Sequence, residues 1–333
     1  MWHNSFGSKF KIEIWGASHT PEMGIRIEGV PSGISLYEGD FMSDILRRKA
    51  WGKETTSRIE NDIPTIVAGV INGTTSGEPI EITFANNNTR SSDYSQFESH
   101  NRPSHVDFTA RAKYGEGVDL RGSGQFSGRM TLLLVAAGVV AKKIVEGVKY
   151  TTQIVEIGGS RNKAEFDQIV TSAMSEGDSV GGVIECRAEG VKVGLGEPFF
   201  DSAESIISHL MFSVPAVKGV EFGSGFEGVK LRGSERNDCF TDGEGHTATN
   251  NEGGINGGIT NGNDLVVRVA IKPTASISRE QMTYNKELGK VAPLRIKGRH
   301  DACIVRRAAV VVEAVVAIAL AELTLVSRLS SLV

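Results

Sequence analysis

Four segments of the sequence concentrate side chains that can move protons or bind anions. They carry His, Asp, Arg or Lys beside glycine or at an expected helix end, and they span residues 15–20, residues 102–107 with 121–129, residues 250–258 with 272–276, and residues 298–301. Imidazole titrates near neutral pH, and a guanidinium group pairs well with phosphate or carboxylate. Four such clusters are unusual for turns alone, so they predict acid–base chemistry on an anionic ligand.

The glycines of residues 121–129 have two interpretations. Gly122 and Gly124 let the backbone approach an anion closely. Arg121 and Arg129 can supply the positive charge. A tight turn between a strand and a helix explains the same glycines equally well. The segment contains neither the GKS or GKT of a Walker loop nor GxGxxG, so neither motif assigns it a nucleotide.

His19 and His105 can act as acids or bases, although an isolated histidine is more often structural. Neither has a second histidine at helical metal-ligand spacing, so we assign no metal site.

Cys186, Cys239 and Cys303 are odd in number and far apart, which argues against a disulfide framework. A reducing, cytoplasmic environment is therefore expected.

Two basic segments also leave alternatives open. Residues 47–49 are Arg-Arg-Lys at an expected helix end, with Lys53 close behind. Such a run usually interacts with the helix dipole in solvent, but it can equally line an anionic pocket. Residues 299–301 place a cation, an imidazole and a carboxylate before an apolar helix, where Asp301 can be the N-cap or take part in chemistry.

Composition excludes several classes of protein. The 333 residues carry 36 Lys and Arg against 40 Asp and Glu, a formal charge of −4, which excludes a generally basic nucleic-acid binder and an acidic solvating chain. The 39 glycines exceed ordinary usage, so many tight turns or close approaches to ligands are expected. Residues 1–10 lack the apolar stretch of a secretory signal.

Alternating patterns predict strands that are apolar on one face. The clearest are residues 79–84 and 264–272, and the weaker candidates are residues 11–15, 63–71 and 182–193. One-sided strands of this kind are typical of antiparallel sheets.

Capping patterns and apolar runs predict helices. Ser35 with Glu38 opens a helix that ends around residues 47–48, and Asn162 with Glu165 opens another that ends near Gly177. Two further helices, at residues 130–145 and 308–325, are apolar almost all round. Such helices are buried on most faces.

The C-terminal apolar helix is predicted to be a core helix rather than a membrane span. Glu313 and Glu322 are nine residues apart, on opposite sides of a helix. The charge-free run at residues 314–321 is far shorter than the ~18 residues that a span needs. No membrane partner is expected.

These elements predict an α+β fold, a β-α-β sandwich with buried central helices between antiparallel sheets. The competing α/β arrangement places helices outside a parallel sheet. Residues 71–80 resemble residues 255–265 with one insertion, which favours the sandwich and indicates an internal pseudo-duplication. No linker or low-complexity tract interrupts residues 1–333, so a single domain is predicted.

Over residues 6–323 the sequence resembles the chorismate synthase family. The motifs that carry the resemblance include GASHT (16–20), RPSHVDFTARAKYG (102–115), DLRGSG with SGR (119–129), AVKGVEFG (216–223), NEGGINGGI (251–259), KPTASI (272–277) and GRHD (298–301). The chain departs from residues usual in the family at Ala17, Thr20, Gln125 and Phe126.

The resemblance implies conversion of 5-enolpyruvylshikimate 3-phosphate to chorismate by an anti-1,4-elimination of phosphate. It implies reduced FMN as a cofactor without net redox change, with NADPH a candidate reductant, and a homotetramer without a nucleic-acid partner. A substrate with a phosphate and two carboxylates needs several fixed cations. A protein of net charge −4 can still concentrate them in one site.

The resemblance also implies residue roles. His19 protonates or polarises the departing phosphate, His105 lies beside the flavin ring and governs protonation of the reduced flavin, and Asp301 acts at flavin N5 in removal of the C6 hydrogen. The implied substrate-binding residues are Ser18, Arg47, Arg48 and Arg129, and Arg48 and Lys53 match positions associated with nicotinamide nucleotide. The implied flavin-binding residues are Gln125, Phe126, Ser127, Pro215, Ala216, Gly257, Lys272, Pro273, Thr274, Ala275, Ser276 and Arg299.

Two other classes of function use some of the same features. A lapsed enzyme that still binds flavin, as a carrier or flavin reductase, would keep the glycine loops and make no chorismate. A phosphate- or RNA-binding module would use the arginines without flavin, but a net charge of −4 and 7% aromatic residues argue against RNA recognition by stacking.

Overall fold

The computed structural model describes residues 4–49, 61–86, 97, 99–296 and 301–330, with side chains up to residue 328. Its strands are β1 (Ser5–Phe6), β2 (Lys11–Gly16), β3 (Glu22–Glu28), β4 (Thr65–Ala68), β5 (Val70–Ile71), β6 (Thr74–Thr75), β7 (Ile80–Ala85), β8 (Lys149–Ile157), β9 (Gly182–Glu189), β10 (Val217–Phe222), β11 (Ile255–Asn256), β12 (Ile259–Thr260), β13 (Leu265–Ile271), β14 (Gln281–Asn285) and β15 (Lys290–Leu294). Its helices are α1 (Glu38–Arg48), α2 (Asp107–Tyr114), α3 (Thr131–Ile144), α4 (Phe166–Ser175), α5 (Ala203–Ser213), α6 (Gly225–Gly228), α7 (Gly233–Arg236) and α8 (Val305–Ser330).

Two large sheets form the outer layers. The first has the strand order β1-β2-β3-β7-β4, and the second has the order β10-β13-β9-β8. Their strands pair antiparallel, as the one-sided apolar patterns predict. Short hairpins, β5-β6, β11-β12 and β14-β15, accompany these sheets.

The two apolar helices lie between the sheets. Helix α3 contacts β3 of the first sheet, α8 contacts β8 and β9 of the second, and the two helices pack against each other. The packing is close because Gly138 has no side chain: a Cβ there would lie 2.4 Å from the Cβ of Ala314. The α+β class with antiparallel sheets is therefore confirmed, and the alternative of helices outside a parallel sheet is wrong.

Two described helical segments are long and apolar enough to cross a membrane. They are Arg121–Ile144 and Val305–Arg328, and their most apolar windows are 72% and 83% buried inside the structure. Burial against the sheets explains their hydrophobicity, as expected for core helices.

Most predicted elements are present, although β9 ends at Glu189 and α8 extends beyond residues 308–325 at both ends. Residues 63–71 form two strands, β4 and β5, which are separated by Gly69 at φ +81°. The helix predicted to open at Ser35 begins instead at Glu38. Asp40 receives a hydrogen bond from the backbone nitrogen of Tyr37 at 2.9 Å, and Ser35 pairs with Thr74 in an isolated bridge, so Ser35 as the N-cap is wrong.

The second capping prediction is confirmed. The side chain of Asn162 accepts a hydrogen bond from the backbone nitrogen of Ala164, and α4 ends two residues before Gly177. Gly177 has φ +68°, a conformation that glycine adopts without strain. Helices α2 and α5 were not predicted, although Ser202 caps α5 by accepting from the backbone nitrogen of Ser205.

Candidate active site

A cavity of about 1000 Å³ is lined by the C-terminal end of α1 and the N-terminal parts of α3 and α8. Its other walls come from residues near the first strand and from parts of the segments 102–106, 122–129, 214–218 and 272–276. Ligand sites usually have about 300–1,000 Å³, so this cavity is at the upper end of that range.

The lining of the cavity is rich in positive charge. Its described cations are Arg48, Lys49, Arg102, Arg129, Lys218, Lys272 and Arg307, and its described carboxylates are Asp62 and Asp301. The charge of the whole chain is −4, so the positive charge is concentrated here. A low-dielectric cavity of one sign attracts ligands of the opposite sign. The cavity therefore fits a ligand that carries several negative charges.

His105 is held rigidly on the cavity wall. Its Nδ1 lies 3.2 Å from Oδ1 of Asp107, and its Nε2 lies 3.2 Å from Oγ of Ser123. Asp107 also receives two hydrogen bonds from the guanidinium of Arg102, at 2.6 and 2.8 Å, and these hold the pKa of its carboxyl well below the usual range despite burial. An ionised Asp107 can only accept, so Nδ1 carries the ring proton and Nε2 accepts from Ser123.

The surroundings of His105 favour the neutral imidazole. Burial lowers its pKa, the positive charges of Arg102 and Lys272 lower it further, and the carboxylate of Asp107 offsets part of the effect. A neutral, fixed imidazole can hold a neighbouring ligand in one protonation state.

Ser18 and His19 lie directly behind the cavity wall. A Cβ on Gly122 would lie 2.3 Å from Nδ1 of His19 and 2.5 Å from Oγ of Ser18, and Gly122 has φ +58°. Only glycine fits this position without displacing both side chains. The backbone nitrogen of Ser18 donates to the oxygen of Gly124 at 3.1 Å. Neither Ser18 nor His19 is among the described residues that line the cavity, but Gly122 is.

Two buried arginines face the cavity from adjoining elements. Arg129 donates from Nη1 to Oδ1 of Asp62 at 2.8 Å and from Nε to Oδ1 of Asn86 at 2.8 Å. Arg48 donates to Oγ1 of Thr131 and to the backbone oxygen of Gly128. These contacts fix both guanidinium groups at the start of α3.

Asp301 lies in the cavity wall before α8. Its Oδ2 accepts from Nη1 of Arg307 at 2.7 Å, and its side chain is mostly buried. Helix α8 begins four residues later, at Val305, so the interpretation of Asp301 as the N-cap is wrong. Asp301 therefore belongs to the cavity lining, where it is paired with Arg307.

Most residues that the family resemblance assigns to flavin lie together in this cavity. Gln125, Phe126, Ser127, Pro215, Ala216, Lys272, Pro273, Thr274, Ala275 and Ser276 line it. Gly257 does not line it, because it lies in the turn between β11 and β12. Arg299 and Lys53 lie outside the described residues.

Arg47 lies in a separate group of charges, the Glu313 cluster, which consists of Asp44, Arg47, Lys142, Thr152 and Glu313. The guanidinium of Arg47 donates twice to Glu313, at 2.7 Å each, and the Nζ of Lys142 donates to Asp44 and Glu313, at 2.6 Å each. Arg47 is not among the described lining residues of the cavity, so the structure does not bring it together with Arg48 and Arg129, to which the family resemblance also assigns the substrate. The carboxylates of Asp44 and Glu313 supply the negative charge that pairs with Arg47.

Three residues near the cavity are not identified by the sequence motifs. Asp62 and Asn86 belong to none of the four segments, although they contact Arg129. Arg307 pairs with Asp301 and could have been suspected, since it is a charge at the start of an apolar helix. In the described part of the chain, no cluster of three or more His, Cys, Asp or Glu residues could hold a metal ion.

Comparisons with known proteins agree with one another. A family model described as "Chorismate synthase" matches residues 10–325. A "Chorismate synthase" of Chitinophaga pinensis is 51% identical over 329 residues, 98% of each chain, and one of Dehalococcoides mccartyi is 41% identical over 351 aligned positions, 97% of this chain and 96% of the relative. A solved structure titled "Crystal Structure of Chorismate Synthase" matches with a TM-score of 0.74 at 27% identity, over 97% of this chain and 93% of its own.

Proposed function

Because the chain belongs to the chorismate synthase family, we propose that the cavity beside α3 and α8 is the place where its reaction occurs. The enzyme makes chorismate from 5-enolpyruvylshikimate 3-phosphate, in the shikimate pathway. It is a carbon–oxygen lyase that releases phosphate. Its site must therefore bind an anionic substrate and supply groups that give and take up protons.

The observation that carries the proposed site is the excess of positive charge in the cavity. The substrate has one phosphate and two carboxylates, and the described lining has seven cations against two carboxylates. Arg48 and Arg129 are fixed by hydrogen bonds before any ligand arrives. Preset cations bind an anion without further ordering of long side chains. We assign the substrate anions to this group, with Ser18 close behind it.

The cavity also fits the reduced FMN that the family uses. Oγ1 of Thr274 is buried without a hydrogen-bond partner among the described residues, so its wall has an unused polar group. The segments 125–127, 215–216 and 272–276 add apolar surface, backbone groups and the cation of Lys272. These segments would hold the reduced flavin, which would supply electron density for breaking the carbon–oxygen bond without net redox change. NADPH is the proposed reductant, near Arg48.

Three side chains of this protein carry out or control the proton transfers of the reaction. His19 donates a proton to the departing phosphate, which makes it a better leaving group. His105 stays neutral and holds the ligand beside it in one protonation state. Asp301 takes up the proton that leaves C6 of the substrate, and its pairing with Arg307 keeps the carboxylate oriented.

We also propose a homotetramer of single-domain chains in the cytoplasm, with no nucleic-acid or membrane partner. Large apolar side chains support the assembly: Phe199, Phe200, Phe226 and Val229 are 86%, 91%, 74% and 80% exposed in the isolated chain. Exposed apolar surface of this kind usually marks an interaction site.

An internal duplication is the remaining part of the proposal. Residues 70–75 form the hairpin β5-β6 before β7, and residues 255–260 form the hairpin β11-β12 before β13. Strands β7 and β13 each pair with a strand on either side. The two similar sequences thus precede equivalent positions in the two sheets.

Flavin titration tests the shared cavity. FMN fluorescence is titrated with protein, with and without the substrate, and inorganic phosphate serves as the control ligand. We expect the substrate to tighten FMN binding by about 5- to 150-fold, the usual range for coupled ligands, and phosphate to tighten it less. Identical curves with and without substrate would mean that flavin and substrate do not share this cavity.

A further inference from the structure

Asn86 connects the loop that carries His19 to the cavity arginine Arg129. It follows the last residue of β7 and is 8% exposed. Its Nδ2 donates to the backbone oxygens of Ala17 and Thr20, at 3.1 and 2.9 Å. Its Oδ1 accepts from Nε of Arg129 at 2.8 Å. One amide therefore holds the two ends of the His19 loop on one side and a guanidinium on the other.

The orientation of this amide is set by its partners. If the amide were turned round, its oxygen would face two carbonyl oxygens and its NH₂ group would face the Nε–H of Arg129. Every contact would then be repulsive, so the amide has one allowed orientation. Replacing it by a group that only accepts removes the loop contacts and leaves the contact with Arg129.

The His19 loop has little other freedom. Oγ1 of Thr20 accepts from the backbone nitrogen of Ala17 and lies 2.8 Å from its oxygen, which closes the loop on itself. The backbone nitrogen of Ser18 donates to Gly124 and fixes the loop against the cavity wall. Asn86 adds the link to Arg129, whose other side is held by Asp62 at 2.8 Å.

We propose that Asn86 is a positioning residue that sets His19 and Arg129 in one fixed relation, so that proton donor and anion-binding cation act on the same leaving phosphate. This inference rests on the proposed function, in which His19 is the proton donor. A displacement of about 1 Å in a reacting group can cost about 10²-fold in rate, so a link of this kind affects turnover as well as stability.

A merely structural role for Asn86 predicts something different. The side chain would then close the end of β7, and its loss would lower the melting temperature and leave the turnover of the folded enzyme unchanged. The two roles are separated by measuring whether the effect of Asn86 depends on His19.

The test is a double-mutant cycle with Asn86→Asp and His19→Ala. Asp keeps an acceptor for Arg129 but cannot donate to Ala17 and Thr20. We expect Asn86→Asp alone to lower turnover at saturating substrate and reduced FMN by about 10²-fold. In the His19→Ala background the same change should cost less than about threefold, because the residue through which it acts is gone.

Thr75→Val is the matched control. Oγ1 of Thr75 also accepts from a backbone nitrogen, that of Ile34, and donates to a backbone oxygen, that of Pro31, and it is not among the described lining residues of the cavity. We expect this variant to have a lower melting temperature and normal turnover. Asn86→Ser is the second variant, to be carried through the same cycle if Asn86→Asp does not fold.

The outcomes distinguish the inference from the function on which it rests. If His19→Ala keeps normal turnover, the role proposed for His19 is wrong and the inference fails with it. If His19→Ala is slow and Asn86→Asp costs the same factor in both backgrounds, or nothing in either, only the positioning role of Asn86 is overturned.

Discussion

Arg47 and Arg48 are consecutive residues at the end of α1, and they enter two different charged regions. Consecutive helical residues point about 100° apart, so the two side chains reach different neighbours. Arg47 enters the Glu313 cluster, in which two cations meet two carboxylates. Arg48 enters the cavity, where the described cations outnumber the carboxylates.

The difference lies in whether the protein itself balances the charge of the arginine. In the Glu313 cluster the protein supplies both signs of charge, and the group is complete without a ligand. In the cavity, Asp62 lies 3.8 Å from Arg48 and Asp107 pairs with Arg102, but the described lining cations still outnumber these carboxylates, so an anion would balance the remaining charge. The same residue type therefore completes a charge cluster of the fold in one region and is proposed to bind the substrate in the other.

The largest expected effects come from His19 and His105, the histidines to which the family resemblance assigns acid–base roles. His19→Ala and His105→Ala should each lower turnover by about 10²- to 10⁴-fold, the usual contribution of acid–base groups, while the protein stays folded. Turnover is measured with saturating reduced FMN. His246→Ala is the control, since His246 is exposed and pairs only locally with Asp242. Normal turnover in either variant would mean that the replaced histidine has a structural role and no acid–base role.

Asp301 gives the next largest effect and has a counterpart in the Glu313 cluster. Asp301→Asn keeps an acceptor for Arg307 but loses the titratable carboxylate, so chorismate formation should slow by about 10²-fold at an unchanged melting temperature. Single-turnover measurements should also show a larger deuterium isotope effect at C6.

Asp44→Asn is the matched change in the Glu313 cluster. Asp44 pairs with Arg47 and Lys142, so this variant should lose stability and keep its turnover. If Asp301→Asn lost stability and Asp44→Asn lost turnover, the roles of the two regions would be reversed.

The pH dependence of stability gives the smallest effect and concerns only the Glu313 cluster. Burial raises the pKa of Glu313, but hydrogen bonds and charges from Arg47 and Lys142 outweigh it and lower the pKa to about 2. In the unfolded chain the group titrates near 4.5. The unfolded state thus binds the proton first, so this contribution is complete above about pH 4.5 and is lost as the pH falls towards 2.

Urea unfolding between pH 5 and pH 3 measures this contribution. Glu313→Gln should be less stable than the wild type at pH 5, by about 1–3 kcal/mol for the lost charged hydrogen bonds, and the difference should shrink at pH 3. A difference that stays constant across this range would mean that folding does not lower the pKa of Glu313.

The layered fold could be predicted because it depends on local patterns. Alternation over residues 264–272 and apolar runs in α3 and α8 report burial directly. The start of α1 could not be predicted in this way, because Asp40 rather than Ser35 makes the hydrogen bond at the helix terminus. Helix boundaries depend on which of several polar residues reaches the free backbone groups.

Only those residues of the candidate site that belong to sequence motifs could be predicted. The segments 125–127 and 272–276 meet in the cavity as the family resemblance implies. Arg47 and Arg48 look alike in the sequence, and what separates them is Glu313, 266 residues away from Arg47. Asn86 and Asp62 are 43 and 67 residues from Arg129, so nothing local marks them as its partners.

The most direct test compares Arg47→Gln with Arg48→Gln. Each change removes one positive charge and keeps an amide donor, and the substrate dissociation constant is measured for both in the presence of FMN. We predict that Arg48→Gln weakens substrate binding by about 10- to 100-fold, while Arg47→Gln binds normally and has a lower melting temperature. Equal weakening in both variants, or normal binding by Arg48→Gln, would contradict the division between a cavity that binds anions and a cluster that is already neutral.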